Sequence, residues 1–265
     1  TNSVVNLGQT NVLLFDSGIT VGGRRNRAIL RFTTAGDSVA YFRNLAGTGR
    51  QTLWALGDNN TGGNSAVSAG TNDFSAGTVD AWVDTVIVGR GQTSSTGSPN
   101  GSGTGALILG AGRLALKQLE VGFQSPGGSA AIGVVETSGG PGVTNLIVNG
   151  NARLGHYDGL AAASATVGTL NIGSTVIIKG NLISGGSALN AVTVNNGHLI
   201  AGGIGNDNGI NDTPLPTLNL ESGTLTLDLG TASNPTTPVC QVTNLYVNSV
   251  TLNVAGAGLS AAMSG

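Results

Sequence analysis

The sequence predicts an all-β fold, a right-handed parallel β-helix (β-solenoid) with rungs of about 22–27 residues. Three observations predict it: alternating apolar and polar residues, a repeated two-strand unit, and an unusual composition. Glycine accounts for 45 of 265 residues, whereas charged residues make up 9% and aromatic residues 4%. Such a chain must build its core from small and β-branched side chains and must turn every few residues.

The repeat is clearest in the second half of the chain. Alternation such as Leu170-Asn171-Ile172 indicates a strand with one buried face, and a bend containing Gly or Asn separates it from a second such strand. Self-similarity at a period of about 20–30 residues is typical of solenoids. The first apolar positions of successive units recur at that period, at Leu146, Leu170, Val192, Leu218 and Leu245.

We expect a single solenoid domain over residues 1–265. Residues 78–256 are predicted to form regular rungs, and residues 1–77 degenerate rungs or an N-terminal cap. Short strands at intervals also fit a β-sandwich or a barrel, but one repeated two-strand unit favours the solenoid. Stretches 57–77 and 90–104, rich in Gly, Ser, Thr and Asn, are predicted to be protruding loops. Further strands are predicted at Ser3–Leu7, Asn11–Phe15, Ala28–Phe32 and Ser38–Phe42.

Two strings carry a resemblance to a known family: GTLNIGSTVIIKGNLISGG at 168–186 and TLNLESGTLTLDLG at 217–230. They resemble the units of autotransporter-associated β-strand repeat proteins, which are passenger-type bacterial surface proteins and include large ones with a PEP-CTERM sorting tail. The resemblance extends over roughly residues 78–256 and is strongest over 143–256. It implies a β-helical passenger, export to the extracellular space or the bacterial cell surface, and an adhesive or structural role.

Charge and composition limit the partners. The net charge of −2 predicts no nucleic-acid partner, and no apolar stretch is long enough to span a membrane. One cysteine excludes an internal disulfide framework. The chain stops within its own repeat pattern, so we expect it to be a piece of a longer precursor. Six arginines in the first fifth are interpreted as a solvated region: Arg24, Arg25, Arg27, Arg31, Arg43 and Arg50.

An enzyme is the main alternative, because polysaccharide lyases and glycoside hydrolases of the β-helix type share this fold. They need clustered carboxylates, and the 13 acidic residues here are sparse, so no catalytic residue is predicted. Asp80 and Asp84 flank Trp82 on one face of a predicted strand, with Val79, Ala81 and Val83 on the other. An outward Trp between carboxylates is a hypothetical carbohydrate contact, as in a carbohydrate-binding module; the alternative is an isolated exposed aromatic residue.

A calcium loop is a second hypothesis, and no other cofactor is predicted. Residues 202–207 match the first six positions of the calcium-binding β-roll nonapeptide, but only once. Asp207, Asn208 and Asp212 are the candidate Ca²⁺ ligands, with an ordinary turn rich in Asx and Gly as the alternative. The two histidines, His156 and His198, are interpreted as surface or turn residues.

The predicted function is therefore a non-enzymatic extracellular structural or adhesive surface protein. Solenoid ends expose strand edges, and an uncapped rod of this kind can associate head-to-tail into a filament. The expected partners are other copies of the chain, or a surface glycan or the cell envelope.

Overall fold

The structure of the chain is a computed structural model. It describes residues 2–24, 26–33, 36–60, 67–91, 101–124, 130–157, 166–205, 212–230 and 239–256. These residues form fifteen strands and no helix, which confirms the all-β class. The strands are β1 Asn2–Leu7, β2 Thr10–Leu14, β3 Ile19–Val21, β4 Arg27–Phe32, β5 Val39–Arg43, β6 Gln51–Asp58, β7 Ser68–Arg90, β8 Gly103–Phe123, β9 Ala131–Val148, β10 Ala152–Leu154, β11 Thr166–Ser184, β12 Ala191–Val194, β13 Gly197–Gly205, β14 Leu215–Asp228 and β15 Val242–Ala255.

All fifteen strands belong to one hydrogen-bonded sheet, and every pairing between them is parallel. Each stretch of chain pairs with the equivalent stretch that follows it. β11, for example, pairs through Thr169–Ile172 with β12 and through Thr175–Ile183 with β13. Strands β12 and β13 both pair in turn with β14, and β14 pairs with β15. β1 and β15 therefore lie at opposite ends of the pairing order.

The register confirms four of the five aligned positions. Leu170 pairs with Val192, Val192 with Leu218, and Leu218 with Leu245. The assignment of Leu146 is wrong, because Leu170 pairs with Val135 instead. β9 runs through both halves of its unit, and Leu146 lies in the second half, opposite Val176 and Leu114.

The predicted repeat length is too short for the middle of the chain. From Leu170 to Leu245, the three sequence spacings between residues that pair in register fall within the predicted range. The four preceding spacings are longer, roughly 28–42 residues each, and stay within the range of about 20–50 residues that solenoid repeats in general span. They separate the paired residues Leu30, Asn72, Leu107, Val135 and Leu170. Connections of variable length account for the difference, since parallel pairing fixes the strands but not the connections.

The strands described within residues 2–77, which are β1 to β6 and the start of β7, belong to the same sheet. The four strands predicted there match β1, β2, β4 and β5 within one residue at each end, whereas β3 and β6 were missed. Both loop predictions are partly wrong, because residues 57–58 and 68–77 belong to β6 and β7, and residues 103–104 begin β8. The assignment of residues 1–265 to one domain stays a prediction.

The core is one apolar cluster that extends from Leu7 to Leu227. Along most of the chain it consists of stacked Leu, Val and Ile side chains from equivalent positions. Near the N-terminal end four aromatic side chains replace them, at Phe32, Phe42, Trp54 and Phe74. The Phe42 and Trp54 rings stack with centroids 4.4 Å apart. Each aromatic ring buries more apolar area than a Leu, Val or Ile side chain, so these four rings fill the interior near this end.

One corner of the fold is built by glycines in the left-handed backbone region. Five glycines each follow an apolar residue, and the five apolar residues pair with one another in register from β3 to β10. The glycines are Gly22, Gly57, Gly89, Gly122 and Gly155. Their φ angles lie between 55° and 76°. A Cβ at Gly57 would overlap the carbonyl oxygen of Thr104, and one at Gly89 that of Ile132. The corner therefore needs glycine both for its φ angle and for the close approach of backbone.

Candidate functional site

The predicted carbohydrate contact lies on β7. Val79, Ala81 and Val83 are buried, as the alternation predicts, and Asp80, Trp82 and Asp84 lie half-buried on the opposite face. The sequence thus predicted correctly which face of this strand points away from the core.

Protein side chains contact all three of these residues. The guanidinium carbon of Arg43 lies 3.9 Å from the Trp82 ring centroid, and Arg43 Nη2 lies 2.6 Å from Asp80 Oδ2. Asp84 Oδ1 lies 2.9 Å from Lys117 Nζ. Arg43 is itself buried, so the interpretation of the N-terminal arginines as solvated is wrong for this residue. The cluster joins β5, β7 and β8, and one face of the Trp82 ring is already occupied by a cation. A carbohydrate contact here stays a prediction.

The calcium hypothesis falls mostly outside the described residues, which exclude Asp207 and Asn208. Asp212 is half-buried, three residues before β14 begins. Within the described ranges, no group of three or more His, Cys, Asp or Glu side chains converges as metal ligands do. Calcium binding therefore stays a prediction without a described ligand set.

His198 lies on β13 and contacts the strand stacked on it. Its Nε2 atom lies 2.9 Å from the Thr226 hydroxyl oxygen on β14. Burial lowers the pKa of His198 below its usual value of 6.5. The imidazole is therefore a neutral hydrogen-bonding group at neutral pH rather than a cation.

We expect His198 to make stability depend on pH. Because its pKa is lower in the folded state, the unfolded chain takes up the proton first as pH falls through 6.5. This contribution to stability is therefore complete above pH 6.5 and decreases as pH falls towards the folded-state value. Urea unfolding at several pH values should show a shallower pH dependence for His198→Gln, which keeps a hydrogen-bonding side chain. Identical pH dependence in both proteins would contradict the prediction.

A second histidine belongs to a charged cluster that the sequence analysis missed. Glu120 on β8 pairs in register with Arg153 on β10, and its Oε1 atom lies 3.5 Å from Arg153 Nη1. Its Oε2 atom lies 3.3 Å from His156 Nδ1, and the His156 ring stacks on Phe123. Glu120 is only 4% exposed. The Arg153 guanidinium and a hydrogen bond from the Gln118 side-chain amide offset the cost of burying this carboxylate. Glu120 and Arg153 become neighbours only through stacking, so their sequence separation gives no direct signal.

The most exposed apolar surface lies at the C-terminal end of the sheet. β15 places Leu245, Val247, Leu252 and Val254 in register with the core residues Leu218, Leu220, Leu225 and Leu227 of β14. The β14 residues are at most 9% exposed, whereas their β15 counterparts are 52–57% exposed. Among the described strands β15 pairs with β14 alone, so no described strand pairs with its other backbone edge, which we call its open edge. We call these four side chains and this edge the β15 end.

The opposite end is formed by β1 and β2. Val5 heads the column that continues through Leu30 and is 54% exposed. Leu7, which is buried, and Leu13, which is half-buried, head the columns of Phe32 and Phe42. Following the register through the sheet, these columns end at Leu245, Val247 and Leu252. We call this surface the β1 end.

Positive side chains are concentrated near the start of the sequence, whereas the charged side chains in its last part are all negative. Residues 1–50 contain six arginines and two aspartates, whereas residues 180–265 contain four acidic residues and neither Lys nor Arg. The predicted features include the clustered arginines but not the acidic bias of residues 180–265. A count of charge by thirds of the chain would have found it.

No protein-family model, curated protein or solved structure matches the chain. No membrane-spanning helix is found in the part of the chain that the structure describes.

Proposed function

We propose that this chain is a right-handed parallel β-helix that acts as a non-enzymatic structural or adhesive rod on an extracellular or cell-surface assembly. We also propose that copies associate head-to-tail. The observation that carries the proposal is the β15 end, where side chains in register with the core remain half-exposed beside an open strand edge.

The pairing pattern supports the β-helix. Each of the equivalent strand segments lies parallel to the one before and the one after, and the apolar columns run through all of them. Parallel strands cannot be joined by tight hairpins and need crossover connections. Such crossovers are right-handed in nearly all proteins, because twisted strands pack back onto the sheet only in that hand.

The two ends are complementary in their apolar columns. If a second copy continued the parallel register, its Val5 would lie over Leu245, and its Leu7 and Leu13 over Val247 and Leu252. The same contact would pair the open backbone edge of β15 with the edge of β1. Association of this kind removes apolar surface and unpaired backbone groups from water at once. It is heterologous, so it propagates into a filament rather than a closed dimer.

The charge separation supports the same polarity. Arg27 and Arg31 lie on β4, next to β1, and Glu221 and Asp228 lie on β14, next to β15, so the contact would bring these opposite charges closer together. Contacts between two β1 ends or two β15 ends would place like charges together. Complementary charge of this kind selects orientation and raises the association rate.

The extracellular location rests on the repeat units quoted above and their resemblance to exported bacterial surface proteins. The composition agrees with this location, because few charges and many glycines suit a rod held together by backbone ladders rather than by disulfides.

Electron microscopy and sedimentation velocity of the purified full chain test the proposal. We expect unbranched filaments whose length grows with protein concentration and whose axial spacing is about 4.8 Å, the distance between paired strands. We also expect slower association at high NaCl concentration, because salt screens the attraction between opposite ends. A strictly monomeric chain at all concentrations would contradict head-to-tail assembly.

A further inference from the structure

A polar cleft lies beside the glycine corner near the β1 end. Its volume is about 660 Å³, within the range of small-molecule sites. Residues from the β3–β4 connection, from the end of β6 and from the end of β7 form it. Its principal polar side chains are Arg24, Asn26, Arg27, Asp58, Asn60 and Arg90.

The inner part of the cleft is a fixed ion pair. Arg90 Nε donates to Asp58 Oδ1 at 2.7 Å, and Arg90 Nη2 donates to Asp58 Oδ2. Both side chains are at most 14% exposed. Asp58 Oδ1 also accepts a hydrogen bond from the backbone N–H of Asn60 at 2.9 Å. This carboxylate is therefore neutralised and held in place, so it does not oppose an anion entering the cleft.

The rim carries two arginines in a different state. Arg24 and Arg27 are exposed, and neither has a carboxylate within ion-pair distance among the described residues. Together with the neutralised Arg90–Asp58 pair, they give the cleft an excess of two positive charges.

Arg24 is held in a conformation that arginine seldom adopts. Its φ angle is 51°, in the left-handed region. Its backbone N–H donates to the Asp58 carbonyl oxygen at 3.0 Å, and the Asn26 N–H donates to the Gly23 carbonyl oxygen at 3.1 Å. Non-glycine residues in this region are strained, and such residues cluster at functional sites. Glycine would remove the strain but would also remove the guanidinium from the rim.

We propose that this cleft binds an acidic saccharide, with Arg24 and Arg27 on its carboxylate. Guanidinium groups bind carboxylates through two parallel hydrogen bonds. Ser3, Thr20, Asn26 and Asn60 also line the cleft and supply neutral donors and acceptors that suit sugar hydroxyls. No aromatic side chain lines it, so the arrangement does not suit a nucleobase or a sugar held mainly by ring stacking.

The inference does not require head-to-tail assembly. The residues that line the cleft all come from one chain, from β1, β3, β4, β6, β7 and the connections beside them. A chain that stays monomeric would still bind the saccharide, and a chain that forms filaments without binding it would contradict only this inference.

Isothermal titration calorimetry of the full chain at low ionic strength tests it with three probes: a galacturonate disaccharide, the neutral galactose disaccharide and inorganic phosphate. We expect saturable binding of the acidic disaccharide, and at least tenfold weaker binding of the other two. The double variant Arg24→Gln/Arg27→Gln should bind the acidic disaccharide about tenfold or more weakly, because each substitution removes a charge-assisted contact. Arg113→Gln is the matched control, because Arg113 is exposed on β8 outside the cleft.

Each other outcome overturns the inference. Phosphate binding as tight as that of the acidic disaccharide would indicate a site for any oxyanion. Equal losses in the Arg113→Gln and the cleft variants would indicate general charge attraction. No saturable binding of the disaccharide would mean that the cleft is not a saccharide site. Arg27→Gln alone, at a position with ordinary φ, keeps the test valid if the Arg24 variant unfolds, and circular dichroism checks the fold of every variant.

Discussion

Gly57→Ala is expected to lower the free energy of unfolding by about 3–5 kcal/mol, or to prevent folding. Two effects add at this position. Alanine at a φ angle of 61° incurs the cost of the left-handed region, about 1–2 kcal/mol. Its Cβ would also overlap the Thr104 carbonyl oxygen on β8, so the backbone there must move. Urea unfolding followed by circular dichroism measures the change.

Two other glycines separate these effects. Gly47 has a φ angle of 74° with no atom within 4 Å of a built Cβ, so Gly47→Ala should show the conformational cost alone. Gly8 also has open space and no left-handed φ angle, so Gly8→Ala should be nearly neutral. If Gly57→Ala cost no more than Gly47→Ala, the close approach at the corner would not matter to stability.

Replacing both Leu245 and Leu252 with lysine is expected to abolish filaments while leaving the single chain folded. Both side chains are more than half-exposed in the single chain, so a charge there has water around it. In a head-to-tail contact the same ammonium groups would be buried against the core columns of the next copy. That burial costs several kcal/mol per charge, so the association constant should fall by about a thousandfold or more. Inward-pointing charges are a known means of blocking strand edges.

Asn244→Lys with Asn253→Lys is the matched control, because it adds the same charge to the same strand. These positions alternate with Leu245 and Leu252 and project away from the core columns. Sedimentation velocity should show filaments for this control and monomers for the Leu245 and Leu252 variant. Equal assembly of both would mean that the β15 end is not the contact surface. An equal loss in both would point to charge repulsion instead of packing.

The sequence predicted the strands well where one face of the strand is buried. The alternation in 78–84 correctly placed Val79, Ala81 and Val83 inside and Asp80, Trp82 and Asp84 outside. Period-two alternation is local, so it needs no knowledge of which strand lies next. The β3 strand was missed because its short run, Ile19–Val21, is too brief to show a period.

Stacking partners were harder to predict than strands. Leu146 was aligned with the wrong column because the strings 130–139 and 143–155 look like two repeat units but form parts of one. The cluster of Glu120, Arg153 and His156 and the cleft beside Arg24 depend on the same stacking. Residues far apart in the sequence become neighbours there. Their spacing follows from the register of the apolar–glycine pairs, such as Val88-Gly89 with Val121-Gly122.

Both tryptophans of the chain lie in its first third, and this distribution decides what optical probes can observe. Trp54 stacks on Phe42 within the aromatic core, and Trp82 lies beneath Arg43. Intrinsic fluorescence therefore reports the melting of β5 to β7, whereas the long Leu, Val and Ile columns beyond Leu107 have no tryptophan to signal their loss. If the chain is a solenoid, as we propose, its ends can fray independently of its middle. Emission and far-ultraviolet dichroism would then yield different transition midpoints for the same sample.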